Sequence, residues 1–396
     1  MKAMSRETSV AVRLGSDVLI TSGRLRGLRV GVVCNHASLD RGFLHIVDRL
    51  AAAGDVELAA IFGPQHGFRS DVQDNMIETP HRDDPSRRVP IYSLYSETRE
   101  PTAEMLRGLD VLVIDLQDIG ARIYTYIYTM ANCLRACGRH GVPVIVCDRP
   151  NPINGIDVEG QTLVAGYESF VGLFPIPMRH GMTIGELAGF FNRTFNLGAS
   201  VEVVRMEGWQ REMFADAMDL PWVMPSPNMP TLDTAVVYPG TVLFEGTMLS
   251  EGRGTTRPFE LVGAPWIEGE RFAREMNALS LPGAHFRPAV FEPTFQKHAR
   301  TSCGGCQIHV TDRRAFRPVL TGAALIAMFR RQNPDKFAWR QPPYEYEHEK
   351  LPIDILAGSS TLRQQIEEGV APQVIADSWR EDEAAFRRAR QSFLLY

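Results

Sequence analysis

Five short stretches set the frame for this chain: "LRVGVVCN" (28–35), "ELAAIFG" (57–63), "DVLVIDL" (110–116), "VPVIVCD" (142–148) and "VEVVRM" (201–206). Each is almost continuously apolar and rich in β-branched residues. That pattern marks strands buried on both faces, since a strand with one wet face alternates apolar and polar side chains. Helical stretches lie between them, among them "FLHIVDRLAAAG", "ARIYTYIYTMANCLRACGRHG" and "TIGELAGFFNRTF". The last opens with Thr183 and Glu186 at capping-box spacing, where each side chain satisfies the other's backbone N–H. Strands joined by helices pair in parallel. The alternation therefore predicts an α/β fold built on a doubly wound parallel sheet.

Near residue 240 the character changes. Gly, Pro and Thr dominate "PGTVLFEGTMLSEGRGTTRPFELVGAPW" (239–266), and a strand ("CQIHVTD") and a helix ("PVLTGAALIAMFRRQ") follow. We expect an N-terminal domain over 1–245 and a smaller C-terminal α/β domain over 246–396, with a cleft between them. The 396 residues are enough for both.

The charge pattern narrows the partners. The formal net charge is -5, and acidic and basic residues are mixed throughout. No basic stripe suggests nucleic acid, and no charged tail suggests a membrane surface. No stretch approaches the roughly 18–20 apolar residues of a membrane span. "MKAMSRETSVAVRLGSDVLITSG" lacks the apolar core of a signal peptide, so the expectation is a cytoplasmic protein. Six cysteines in a chain this long do not form a disulfide framework. Cys34, Cys133, Cys137 and Cys147 sit in apolar segments and read as small core residues.

Each strand runs into a polar loop at its C-terminal end. The first leads to Asn35 and His36. The second leads to "GPQHGFRSDVQDN", with Gln65, His66, Arg69, Asp71 and Asp74. The third leads to "DLQDIGAR", with Asp115, Gln117, Asp118 and Arg122, and the fourth to "DRPNPINGIDVEG", with Asp148, Arg149, Asn151 and Asn154. A parallel sheet brings these ends to one edge, where open α/β folds bind ligands. Any one such residue is more often a turn former or helix cap. Four polar loops on one edge argue for a site.

Several chemistries are excluded by missing motifs. "NHASLD" after the first strand is not Gly-x-Gly-x-x-Gly, so a dinucleotide site would lack its phosphate-binding turn. There is no P-loop, no Gly-x-Ser-x-Gly elbow and no His-Glu-x-x-His. Cys303-Gly-Gly-Cys306, with His298 and His309 nearby, is a weak zinc signal without a second pair, and its Gly-Gly centre suits a tight turn.

Longer motifs carry a resemblance. "FGPQHGFR", "DLQDIGARIYTYIYTM", "DRPNPINGIDVEG", "PIPMRHGMTIGELA", "PWVMPSPNMPTLDTAVVYPGTVLFEGT" and "SEGRGTTRPFELVGAPW" together resemble the exo-acting β-N-acetylmuramidases of bacteria. The likeness runs from about residue 25 to the terminal "FLLY". It implies a Rossmann-like domain without a nucleotide, a smaller C-terminal domain, and release of N-acetylmuramic acid from non-reducing ends of peptidoglycan fragments. The implied enzyme is metal-independent and cofactor-free, and its partner is a peptidoglycan-derived sugar or muropeptide.

One departure bears on mechanism. Many members of that family read Gly-Pro-Glu-His where this chain reads Gly63-Pro64-Gln65-His66, and that Glu is the residue the resemblance marks as catalytic. An amide neither gives nor takes a proton at neutral pH, whereas glycoside hydrolysis normally uses two carboxyl groups. Either the acid has moved or the protein binds sugar without cutting it. Asp71, Asp74, Glu78, Asp115, Asp118, Glu245 and Glu251 are the candidates for a relocated acid. Asp118 reads equally well as a helix N-cap paired with Arg122 four residues on. Gln65 is suited to orient a water or the acetamido group. His66 and Arg69, or Arg253 and Arg257, are suited to hold the lactyl carboxylate. Asn151 and Asn228 are further sugar-binding candidates. Tyr124 and Tyr128, four apart, are more often core, though either ring, or Tyr126, can stack on a sugar.

Overall fold

The computed structural model describes residues 11–70, 72–73 and 76–396. Its strands are β1 (Arg29–Cys34), β2 (Glu57–Gly63), β3 (Arg82–Asp84), β4 (Val89–Ser93), β5 (Val111–Asp115), β6 (Val144–Cys147), β7 (Glu159–Thr162), β8 (Pro177–Arg179), β9 (Val201–Val204), β10 (Leu261–Ala264), β11 (Ala284–Phe291) and β12 (Cys303–Val310). The main sheet has seven strands in the order β3-β4-β2-β1-β5-β6-β9. Every neighbouring pair is parallel except the β3–β4 pair at the edge. The direction of winding reverses between β1 and β5, which is the switch point of a doubly wound sheet. All five residues of β5 are buried, as are Val30 to Cys34 of β1, so both faces are covered as the unbroken apolar runs require.

The five apolar stretches are β1, β2, β5, β6 and β9. The edge strand β3 and its neighbour β4 were not legible. Pro90 lies inside β4, opposite Asp83 and just before the residues that pair with β2, and a proline within an apolar run argues against a strand. The capping box at Thr183 forms: Thr183 Oγ1 accepts from Glu186 N at 3.2 Å, and Glu186 accepts from Thr183 N at 3.0 Å. Cys34, Cys133, Cys137 and Cys147 are buried in the core. The helix expected from Ala121 onward begins only at Tyr126. Tyr124 therefore precedes it, and Asp118 is not its cap.

The smaller sheet is antiparallel, in the order β10-β12-β11. Helices Gly269–Ala278 and Pro318–Gln332 belong to the same half of the chain. The Cys303-Gly-Gly-Cys306 run is not a turn but the start of β12. A Cβ on Gly305 would stand 1.9 Å from the Val262 carbonyl, and one on Gly304 2.1 Å from that of Ile267. These glycines serve close approach of neighbouring backbone, and both cysteines are buried. Among the described residues no helix is long and apolar enough to cross a membrane.

Candidate active site

The residues that end β2 build the first wall of a pocket. Gly63 and Pro64 stop the strand. His66 (φ 70°) and Gly67 (φ 80°) then adopt left-handed conformations, and Gly67 N donates to the Pro64 carbonyl at 3.0 Å. This tight turn buries Gln65. His66 Nδ1 donates to the Val72 carbonyl at 2.7 Å. The second wall is the entry to the helix Tyr126–His140. Its cap residue Thr125 donates from Oγ1 to Gln65 Oε1 at 2.8 Å.

The rest of the pocket comes from later in the chain. Gln65, His66, Tyr124, Asn228, Glu245 and Arg253 line it together, alongside Thr125, Tyr238, Phe259, Tyr344 and Glu345. The rings form one wall: Tyr124 lies edge-on to Tyr126 and Tyr238 at 4.9 and 5.9 Å, and Tyr238 meets Phe259 at 4.8 Å. Asn228 is held by Nδ2 donating to the Gln73 carbonyl at 3.0 Å.

Two buried carboxyl groups in this pocket have opposite environments. Glu245 accepts from Arg253 NH2 and from the Tyr344 hydroxyl, each at 2.7 Å. Burial favours its neutral form, but the Arg253 charge and these hydrogen bonds outweigh burial and hold its carboxyl below the usual range. Among the described residues Glu345 receives only neutral donors, Tyr95 OH at 3.0 Å and Gln65 Nε2 at 3.5 Å. Its burial, reinforced by the Glu245 charge, pushes it up to about 7. One carboxylate is thus held charged while the other keeps a proton into the neutral range, the division of labour that acid–base chemistry on a sugar requires.

Several expected residues lie elsewhere, each for a visible reason. Asp115 is spent on a two-point ion pair with Arg149, at 2.6 and 2.9 Å. Arg122 is fully buried and donates to four backbone carbonyls. Asn151 holds its own loop through Ile153 N and the Met182 carbonyl. Asp118 caps a turn at Gly120 N, 2.7 Å away, and faces His180 at 3.6 Å, and neither lines the pocket. Glu251 is buried against Lys297 at 2.6 Å and Arg253 at 3.5 Å, outside the lining. Arg69 is exposed and borders other cavities. Arg257 pairs with Glu260 at 3.2 Å, and Tyr128 is core. Asp71 and Asp74 lie outside the described residues.

The sequence reading missed Glu345 altogether, together with Thr125, Tyr344 and Tyr238. A signal was present. Residues 333–351 contain no helix or strand, and their "QPPYEYEHEK" alternates aromatic and acidic side chains. A long irregular loop inside a compact fold is usually functional.

The pocket is tight. Its free volume is about 40 Å³, below the roughly 300–1,000 Å³ of ligand sites, so its walls must part for a sugar ring to enter. Glu345 also borders a more open cavity of about 580 Å³, rimmed by Arg99, Phe170 and Tyr346.

An open α/β sheet carrying a ring-lined pocket with two buried carboxyls, one held charged and the other with a raised pKa, fits the glycoside-hydrolase class. Comparison with known proteins narrows this. Residues 30–233 match the N-terminal model and residues 236–396 the C-terminal model of exo-β-N-acetylmuramidase NamZ, and the chain belongs to that family. It is 44% identical over 387 residues to the peptidoglycan β-N-acetylmuramidase NamZ of Bacillus subtilis (strain 168), covering 97% of this chain and 91% of that one. Two crystal structures of DUF1343 family proteins from Bacteroides fragilis are also similar. One has a TM-score of 0.87 at 34% identity, the other 0.75 at 27%, and each alignment covers 97% of this chain and 99% of the other.

Proposed function

We propose that this protein is an exo-acting glycoside hydrolase that releases N-acetylmuramic acid from the non-reducing ends of peptidoglycan fragments. The observation that carries the reading is the near full-length identity to a peptidoglycan β-N-acetylmuramidase. The site supports it chemically: Gln65, the position that raised the alternative of a silent sugar-binding protein, stands 3.5 Å from a carboxyl group. The purified protein is expected to release nitrophenol from 4-nitrophenyl β-N-acetylmuraminide and to split the disaccharide MurNAc-GlcNAc. Failure on both substrates overturns the reading.

Gln65→Glu tests what the amide does. The substitution places a second carboxyl 3.5 Å from Glu345. Two carboxyls so close share one proton, and the pair gives up its last proton at higher pH. The basic limb of the kcat/KM profile is therefore expected to move up by about one pH unit or more. A silent binding protein would instead gain activity from none, and an unmoved limb would mean that position 65 is electrostatically remote from the reaction.

A further inference from the structure

We infer that Glu345 is the proton donor to the leaving sugar oxygen, the role that Gln65 cannot fill. This deepens the proposed function and rests on it. The argument is geometric first. Glu345 is the one described carboxyl residue that borders both the inner pocket and the open cavity. The inner pocket is ring-lined, and once its walls part it suits a terminal sugar. The open cavity leads outward past Phe170 and Tyr346 and suits the chain that remains. A glycosidic oxygen joining the two lies against the Glu345 carboxyl.

The second observation is how Glu345 is held. It is 3% exposed. Tyr95 and Gln65 both donate to it, so its orientation is fixed without a cation in contact. Arg99 is stacked on Tyr95 at 4.3 Å and on Tyr346 at 4.5 Å, which steadies the rings beside the carboxyl. The charged or titratable groups facing it are Glu245, Arg253, Tyr95, Tyr238 and Tyr344. Of these Glu245 favours the protonated form, and Arg253 opposes it more weakly.

The step balances as follows. The C1–O bond breaks with its electron pair going to the leaving oxygen. That oxygen takes the proton of Glu345, leaving a carboxylate. One water is consumed: its hydroxyl joins C1, and its other proton restores the Glu345 carboxyl. The Glu245 carboxylate, kept charged by Arg253, lies in the same pocket as the positive charge that develops on the ring.

The test compares two leaving groups in Glu345→Gln. A dinitrophenolate leaves without a proton, and a sugar alkoxide does not. Turnover of MurNAc-GlcNAc is expected to fall by at least about 10²-fold, the low end for a lost general acid, while dinitrophenyl β-N-acetylmuraminide stays within about tenfold of wild type. The basic limb of the disaccharide profile is expected to disappear. Equal losses on both substrates with the limb intact would assign Glu345 a structural role and overturn the proposal. A wild type that cleaves neither substrate overturns the functional reading instead, and this proposal with it. Should Glu345→Gln not fold, Tyr95→Phe decides. It removes a hydrogen bond that favours the carboxylate, so the basic limb must move to higher pH, and an unmoved limb refutes the assignment.

Discussion

Arg253→Met is expected to destabilise the fold by about 3–5 kcal/mol, the usual result of removing one partner from a buried ion pair. Arg253 is 7% exposed and lies between two carboxylates, Glu245 at 2.7 Å and Glu251 at 3.5 Å. Lys297 completes the group at 2.6 Å from Glu251. Two positive and two negative side chains thus balance. The substitution leaves a net negative charge in a buried cluster and takes from Glu245 the charged donor at 2.7 Å. Met fills much of the same volume, so the loss reports charge rather than a cavity.

The pH dependence separates this account from simple loss of packing. Without Arg253, burial dominates and raises the Glu245 pKa in the folded state above its unfolded value. A group shifted that way contributes stability at low pH and loses it as pH rises through the folded pKa. The deficit of Arg253→Met relative to wild type, measured by urea denaturation, is therefore expected to be smaller at pH 5 than at pH 8. Adding Glu245→Gln should recover part of it. A deficit that is equal at both pH values and unchanged by the second substitution would refute the electrostatic explanation.

Much of the scaffold was legible because backbone burial leaves a direct mark on composition. β1, β2, β5, β6 and β9 are covered on both faces and read as unbroken apolar runs. β4 is a five-residue strand carrying Pro90, and its pattern is not distinguishable from a loop. The site was legible only in part. Gln65, His66, Glu245 and Arg253 were singled out because they follow a strand end or lie in the glycine-rich segment, Tyr124 as one of two tyrosines four apart, and Asn228 within a motif of the resemblance; all six line the candidate pocket. Asp115, Arg122 and Asn151 follow strand ends equally closely, yet they are structural. Sequence position cannot tell whether a polar side chain faces a cavity or the backbone of another segment. Glu345 was missed for the complementary reason. It reaches Gln65 across 280 positions, from a loop with no periodicity to place it.

Arg122 is the sharpest of these reversals, and its removal is expected to be as damaging as that of Arg253. The side chain is fully buried. NH1 donates to the carbonyls of Gln161 and Ile176, both at 2.9 Å, and NH2 to those of Leu356 and Ala357, at 2.9 and 2.8 Å. Burial lowers its pKa to about 10, so it remains charged at neutral pH. Two of its acceptors close the helix Pro352–Ala357, where a cation meets the negative end of the helix dipole. That helix directly follows the loop carrying Tyr344 and Glu345, so Arg122 pins one end of the segment that supplies the proposed acid. Arg122→Met strands the carbonyls of Gln161, Ile176 and Leu356, while that of Ala357 keeps Gln161 Nε2 as a donor at 2.9 Å. At about 1–3 kcal/mol for each unsatisfied group, even the low end predicts a loss of about 3 kcal/mol by thermal or urea denaturation. Arg122→Lys should recover less than half, because an ammonium presents its donors from one point and cannot span acceptors on opposite sides. Activity assayed well below the variant's unfolding midpoint is expected to fall for MurNAc-GlcNAc more than for the dinitrophenyl substrate, since only the former needs Glu345 in place. Stability within about 1 kcal/mol of wild type would mean that water satisfies the three stranded carbonyls, and the role of Arg122 as the tie between the two halves of the chain would have to be given up.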